Sequence, residues 1–170
     1  TTRYGNMNIS GINDHDSQKK ISEIISDFLS RPSSSLVIKG LFITELPAII
    51  RTLYQVKSLI VEQCNLKTLK NLPPSLEKLI IRHNDISELI SSDIPASVVE
   101  LNAMRNCIHT IDLSGSTNMK ILNLSNNPLR NVIGLPPNLV ELIANSCDIS
   151  DTKAISKLTR LLTLKINMTY

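Results

Sequence analysis

The sequence predicts an α/β fold of the solenoid kind. About seven repeats of 20–23 residues stack side by side, each adding one short strand to a parallel, concave sheet behind an N-terminal capping helix. Three observations carry this. Apolar residues and an Asn recur as LxxLxLxxNxIxxL, most clearly at residues 76–89, LEKLIIRHNDISEL, where Leu76, Leu79, Ile81, Asn84, Ile86 and Leu89 hold the marked places. The first position returns at Ser33, Val56, Leu76, Val98, Met119, Leu139 and Leu161, in steps of 23, 20, 22, 21, 20 and 22 residues. The fourth position is always Leu, namely Leu36, Leu59, Leu79, Leu101, Leu122, Leu142 and Leu164.

Each unit is therefore a leucine-rich repeat, and its spacing has a physical meaning. Positions four and six alternate with outward side chains, as a strand with one buried face requires. Position six holds Ile38, Val61, Ile81, Ala103, Leu124, Ala144 and Ile166, all apolar and small enough to stack. Position nine holds Leu41, Cys64, Asn84, Asn106, Asn127, Cys147 and Thr169. An amide there can bond backbone groups of neighbouring turns, so the three Asn are expected to be structural. With 42% apolar residues, 3% aromatic and no Trp, the core must be aliphatic. Stacked Leu, Ile and Val supply it, because each repeat buries its apolar face against its neighbours.

In chain order, residues 1–32 are expected to form a lead-in and the capping helix, and residues 33–170 the solenoid. Residues 1–13 are polar and aperiodic. From about Asp16 to Ser30, Ile21, Ile24, Ile25, Phe28 and Leu29 recur at helical spacing before Arg31 and Pro32 end the helix. Its apolar face is expected to cover the end of the stack beside Leu36. The first repeat has Gly40 and Leu41 in place of the turn and Asn, and Pro47 followed by Ile49, Ile50 and Leu53 predicts a short helix. LPPS at 72–75, IPAS at 94–97 and LPPN at 135–138 are expected to run extended, since proline fixes φ and has no N–H. DLSGSTN in the repeat from Val98 is expected to turn on Gly115, and SDTKAISKLTR, with Ile155 and Leu158 at helical spacing, to form a helical turn.

The LPP-containing repeats lie within residues 56–147, and their best stretches are NLPPSLEKLIIRHNDISEL and GLPPNLVELIANSCDIS. They resemble the LPX-type leucine-rich-repeat effectors that Gram-negative pathogens inject into host cells by type III secretion. The resemblance implies a protein partner held on the concave sheet and delivery into the host cytoplasm; without it the expected place is the cytoplasm. Some members also carry a C-terminal ubiquitin-ligase domain with a catalytic Cys. The alternative reading is therefore a substrate-recognition arm whose catalytic domain is absent from this chain. The chain departs from the family's pattern in its variable repeat length, in two returns without Pro, and in lacking the Trp residues of the ligase members.

No catalysis is expected of this chain, which has no phosphate loop, supported carboxylate pair or nucleophile with its base. Cys147 precedes Asp148 but falls in the ninth column, where Cys substitutes for Asn. Cys64 shares that column about four repeats away, too far for a disulfide, and with Cys107 left over the thiols favour a reducing compartment. His15, His83 and His109 are scattered, so no metal or other cofactor is expected. Sequons at Asn8, Asn123 and Asn167 are as frequent as the Asn, Ser and Thr content predicts by chance; a third reading, a secreted glycoprotein fragment, would need a glycan at Asn123. A net charge of +3 with few aromatics argues against nucleic acid as partner. No apolar run is long enough to span a bilayer, so no membrane is expected either.

Positions five and seven must point out of the concave sheet. Five holds Val37, Ile60, Ile80, Asn102, Asn123, Ile143 and Lys165; seven holds Lys39, Glu62, Arg82, Met104, Ser125, Asn145 and Asn167. Ile60 and Ile80, flanked by Arg82, Met104 and Arg105, form the candidate partner-binding patch, an apolar centre edged by Arg and Met. Leu161, Leu164 and Ile166 belong to a strand with no repeat after it in this sequence, and weak self-association is expected through that C-terminal end.

Overall fold

A computed structural model describes residues 14–149 and 152–167; the expected lead-in at residues 1–13, with Asn8, and the ninth-column Thr169 lie outside the described residues. Helix α1 (His15–Ser30) opens the described chain, capped by Asp14, whose carboxylate accepts from the Ser17 backbone N–H at 3.2 Å and the Ser17 hydroxyl at 2.8 Å. Ile21, Ile25 and Phe28, at i, i+4 and i+7, are buried, while Leu29 lies at the flank of that stripe and is exposed, contrary to its expected place on the apolar face. The buried Ser17 hydroxyl also accepts from the Phe42 backbone N–H at 2.8 Å, tying the helix to the first repeat.

Beyond α1 lie the strands β1 (Ser35–Lys39), β2 (Ser58–Glu62), β3 (Lys78–Ile80), β4 (Glu88–Ile90), β5 (Glu100–Asn102), β6 (Thr110–Asp112), β7 (Ile121–Asn123), β8 (Asn131–Gly134), β9 (Glu141–Ile143) and β10 (Thr163–Lys165), helix α2 (Lys153–Ser156) before β10, and two 3₁₀ segments, Ala48–Thr52 and Ser91–Asp93. Seven of the strands form one parallel sheet in the order β1-β2-β3-β5-β7-β9-β10. Its register places Leu36, Leu59, Leu79, Leu101, Leu122, Leu142 and Leu164 in one row, the expected fourth column. All of that row is buried except Leu164, which is 46% exposed on β10.

After six of the seven strands of this sheet, β1, β2, β3, β5, β7 and β9, the chain kinks through a left-handed residue. Gly40, Gln63, His83, Arg105, Asn126 and Ser146 have φ of 68, 53, 55, 56, 58 and 54°. For an L side chain that conformation costs about 1–2 kcal/mol, and what offsets it is the next residue, turned inward to bond the repeat before it. The Nδ2 of Asn84 donates to Val61 O at 2.8 Å, that of Asn106 to Ile81 O at 2.9 Å and that of Asn127 to Ala103 O at 3.0 Å. Their Oδ1 atoms accept from backbone N–H groups of the preceding turn, Asn84 from Cys64 and Leu66, and Asn127 from Asn106 and Ile108. The ninth column is thus a ladder that satisfies buried backbone from repeat to repeat.

The returns hold the difference from expectation. β4, β6 and β8 pair in parallel as a second, three-stranded sheet, which the repeat pattern did not foretell. Equivalent residues of neighbouring repeats sit one strand spacing apart there too, so Leu89 and Ile111 pack beneath it fully buried. The Pro-containing segments do not stay extended: Val98 N–H bonds to Pro95 O at 3.1 Å and Leu139 N–H to Pro136 O at 3.4 Å, closing turns. A φ near −65° suits the second residue of such a turn, the place of Pro137, as well as it suits extended chain. The expected short helices are present, as a 3₁₀ segment at Ala48–Thr52 after Pro47 and as α2. Residues 114–115 form the expected turn, but Gly115 has no positive φ; a Cβ there would lie 3.1 Å from the Ser91 Cβ, so closeness to the neighbouring return is what the glycine serves.

Candidate functional site

Three columns of side chains line the outer face of the seven-stranded sheet. In the fifth, Val37, Ile60 and Ile80 are mutual register partners on β1, β2 and β3, so three branched aliphatics stand side by side about 4.8 Å apart. Val37 is 46% exposed, and Ile60 and Ile80 are half-buried. On β5 and β7 the column turns polar with Asn102 and Asn123, whose Oδ1 atoms accept from the backbone N–H groups of Met104 at 3.2 Å and Ser125 at 3.0 Å. Ser125, expected to face outward, is buried instead, its hydroxyl folded onto the next repeat to accept from Asn145 N–H. The sequon at Asn123 therefore has both of its polar side chains engaged with backbone.

The seventh column on β1–β3 is charged. Glu62 stands between Lys39, whose Nζ is 3.8 Å from Oε2, and Arg82, whose Nε donates to Oε1 at 3.0 Å. On the other side of the aliphatic row, in the third column, Lys78 and Glu100 pair at 3.2 Å. Ile60, Ile80 and Arg82 are thus brought together, but Arg82 is held by Glu62 rather than standing free at the patch edge. Met104 follows β5 and is half-buried; Arg105 is exposed in the left-handed turn after it. Val37, outside the patch expected from the sequence, is the register partner of Ile60 and stands in the same fifth column, whereas the pairing of Glu62 with Arg82 joins residues twenty positions apart and comes only with the stacked strands.

The thiols behave as parts of the frame. Cys147 Sγ donates to Leu124 O at 3.0 Å, the bond an Asn amide makes elsewhere in the column, and Cys64 Sγ points at Ile38 O at 3.7 Å. Burial pushes both thiols up from their ordinary ionisation range, the opposite of what a nucleophile needs. Cys107 is exposed, and all three cysteines are free. A cavity of about 320 Å³ opens beside Asn126, Pro128, Ser146 and Cys147. Among the described residues no group of three or more His, Cys, Asp or Glu is placed to hold a metal ion, and no helix is long and apolar enough to cross a membrane.

No protein-family model matches the chain, and no curated protein matches it by sequence. Solved structures do. YopM from Yersinia enterocolitica superposes with a TM-score of 0.72 at 21% identity, covering 93% of this chain and 33% of its own. The leucine-rich repeat domain of the type III effector XopL gives 0.64 at 18%, covering 97% and 63%, and a Shigella effector leucine-rich-repeat domain gives 0.56 at 17%, covering 97% and 94%. The chain thus spans about a third of the YopM chain, and its likeness to these bacterial effector structures is one of fold.

Proposed function

We propose that the chain is a non-catalytic recognition module that holds a protein partner on its concave sheet, as part of a type III secreted bacterial effector acting in the host cytoplasm. The observation that carries the reading is the in-register row Val37, Ile60 and Ile80, an apolar strip on a sheet face that no described element covers. Bacterial effector structures among those of the same fold support the cellular setting. The proposed contact residues are Ile60, Ile80, Arg82, Met104 and Arg105, with Val37 added. A substrate-recognition arm of a ubiquitin ligase would use the same surface, so the two readings differ only in what else the partner is joined to.

Affinity capture with mass spectrometry, followed by binding measurements on variants, tests this. Val37→Asp and Ile80→Ser are expected to lose the partner with little change in melting temperature, while Glu77→Lys and Asp93→Lys, exposed and outside the three concave columns, keep it. Loss of the partner in the Glu77 or Asp93 variants alone would move the site to another face. The proposal extends to weak self-association through β10, supported by Leu162 at 84% exposure and by the open Leu164. Sedimentation showing a strict monomer at high concentration would remove that part.

A further inference from the structure

The aliphatic row and the charges beside it specify more than a protein in general, and we infer, resting on the concave-face reading, that the partner presents an amphipathic helix with an acidic flank, laid across β1–β3. The first step is spacing. Val37, Ile60 and Ile80 are consecutive register partners, so the outer two stand about 10 Å apart, two strand spacings. Side chains at i, i+3 or i+4, and i+7 of a helix span a similar distance, about 10.5 Å at 1.5 Å per residue. An extended segment repeats on one face about every 6.8 Å and drifts out of step with the row. A helix running across the strands can therefore set one apolar residue beside each of the three, and an extended chain cannot.

The second step is charge. In the third column Lys78 and Glu100 compensate each other. In the seventh column the single carboxylate of Glu62 serves two cations, Lys39 and Arg82, which leaves one positive charge over on that side of the row. Lys39 is the more loosely held of the two, 57% exposed in its side chain against 37% for Arg82. Exposed Arg105, on the turn after β5, adds to the same sign. A helix whose apolar stripe covers the row thus meets surplus positive charge along one flank only, and Asp or Glu on that flank answers it.

The probe is a displayed library of random helical peptides selected on the immobilised chain. Enriched peptides are expected to carry apolar residues at i, i+3 or i+4, and i+7, with Asp or Glu along one side. Their binding is expected to fall at least about ten-fold with Val37→Asp or Ile60→Ser, and about two- to five-fold with Lys39→Gln or with added salt. Melting curves of each variant confirm that the fold is intact, and Val37 and Lys39 are open enough to change without disturbing it. Binders that need Val37 and Ile60 but carry basic or uncharged flanks, alternate apolar residues as a strand does, or ignore Lys39→Gln would overturn the helix chemistry while leaving the concave face as the site. Binders indifferent to Val37 and Ile60 would overturn both, and a library from which nothing is enriched would overturn the helix.

Discussion

The concave sheet passes through all seven repeats, whereas the convex sheet joins only three, although one chain builds both from the same repeats. On the concave side every repeat keeps positions one, four, six and nine at fixed offsets, and the variation between 20 and 23 residues falls in the return. Fixed offsets deliver the same backbone atoms to the same place in each layer, so strand bonds form in every layer and the ninth-column amide ladder wherever Asn84, Asn106 and Asn127 stand. Returns pair only where their residues suit a strand. Val132 and Ile133 in β8 do, while in the second repeat the corresponding Leu69 and Lys70 run straight into Asn71, which turns at φ 67° and bonds Leu46 O through its amide. Two neighbouring sheets can therefore differ in how tightly they are specified: the inner one by a repeated block, the outer one by local composition.

The largest test of that contrast is Leu101→Ala. It empties a fully buried place in the middle of the concave row and is expected to cost about 2–5 kcal/mol in denaturant unfolding. A melt indistinguishable from the parent would mean that the fourth column is not the core. Next comes Asn127→Ala, which removes an acceptor from the Asn106 and Ile108 N–H groups and a donor from Ala103 O, for an expected loss of about 1–3 kcal/mol. Gly115→Ala, its convex counterpart, crowds Ser91 and should cost less than about 1 kcal/mol, because an outer return can shift by a few tenths of an ångström. Equal losses at Asn127 and Gly115 would abolish the distinction between the two sides.

A gain sharpens it further. In the repeat before Cys147, Leu129 N–H bonds to Asn127 O within its own turn, and before Cys64 the Ile43 N–H is shared between Leu41 O at 3.1 Å and Cys64 O at 2.9 Å. Where an Asn follows instead, the equivalent N–H groups of Leu66 and Ile108 reach its Oδ1. Cys147→Asn is therefore expected to raise stability by about 0.5–1.5 kcal/mol in the same unfolding assay; no change would show the local turn bond to be an equal substitute.

The smallest effect is in thiol chemistry. Cys107 should react first with a maleimide, and Cys64 last, in the order of their exposure. The raised ionisation of Cys64 and Cys147 also fixes a sign. The protonated thiol is the stabilised form, so its contribution is complete below the unfolded thiol's range and is lost as pH rises through the folded one. A modest alkaline loss of stability, smaller in Cys147→Ser, checks this by melting at a series of pH values.

The sequence by itself determined the repeat register, the number of strands in the concave sheet and, Ser125 apart, the residues facing out of it, because a period of two within a period of 20–23 leaves one register in which Leu101 and its equivalents all point inward. It also placed α1 and α2 through helical spacing and the 3₁₀ segment through Pro47. The left-handed position before the ninth column was not legible, since Gln63, His83, Arg105, Asn126 and Ser146 share no propensity; only Gly40, in the same column, hints at it. The candidate site was half legible. Column positions located Ile60 and Ile80, but which charges stand free depends on which side chains meet across strands. That Glu62 holds Arg82 and leaves Lys39 looser, and that three returns join into a second sheet, are contacts between residues some twenty positions apart, and only the stacking of the repeats brings them together.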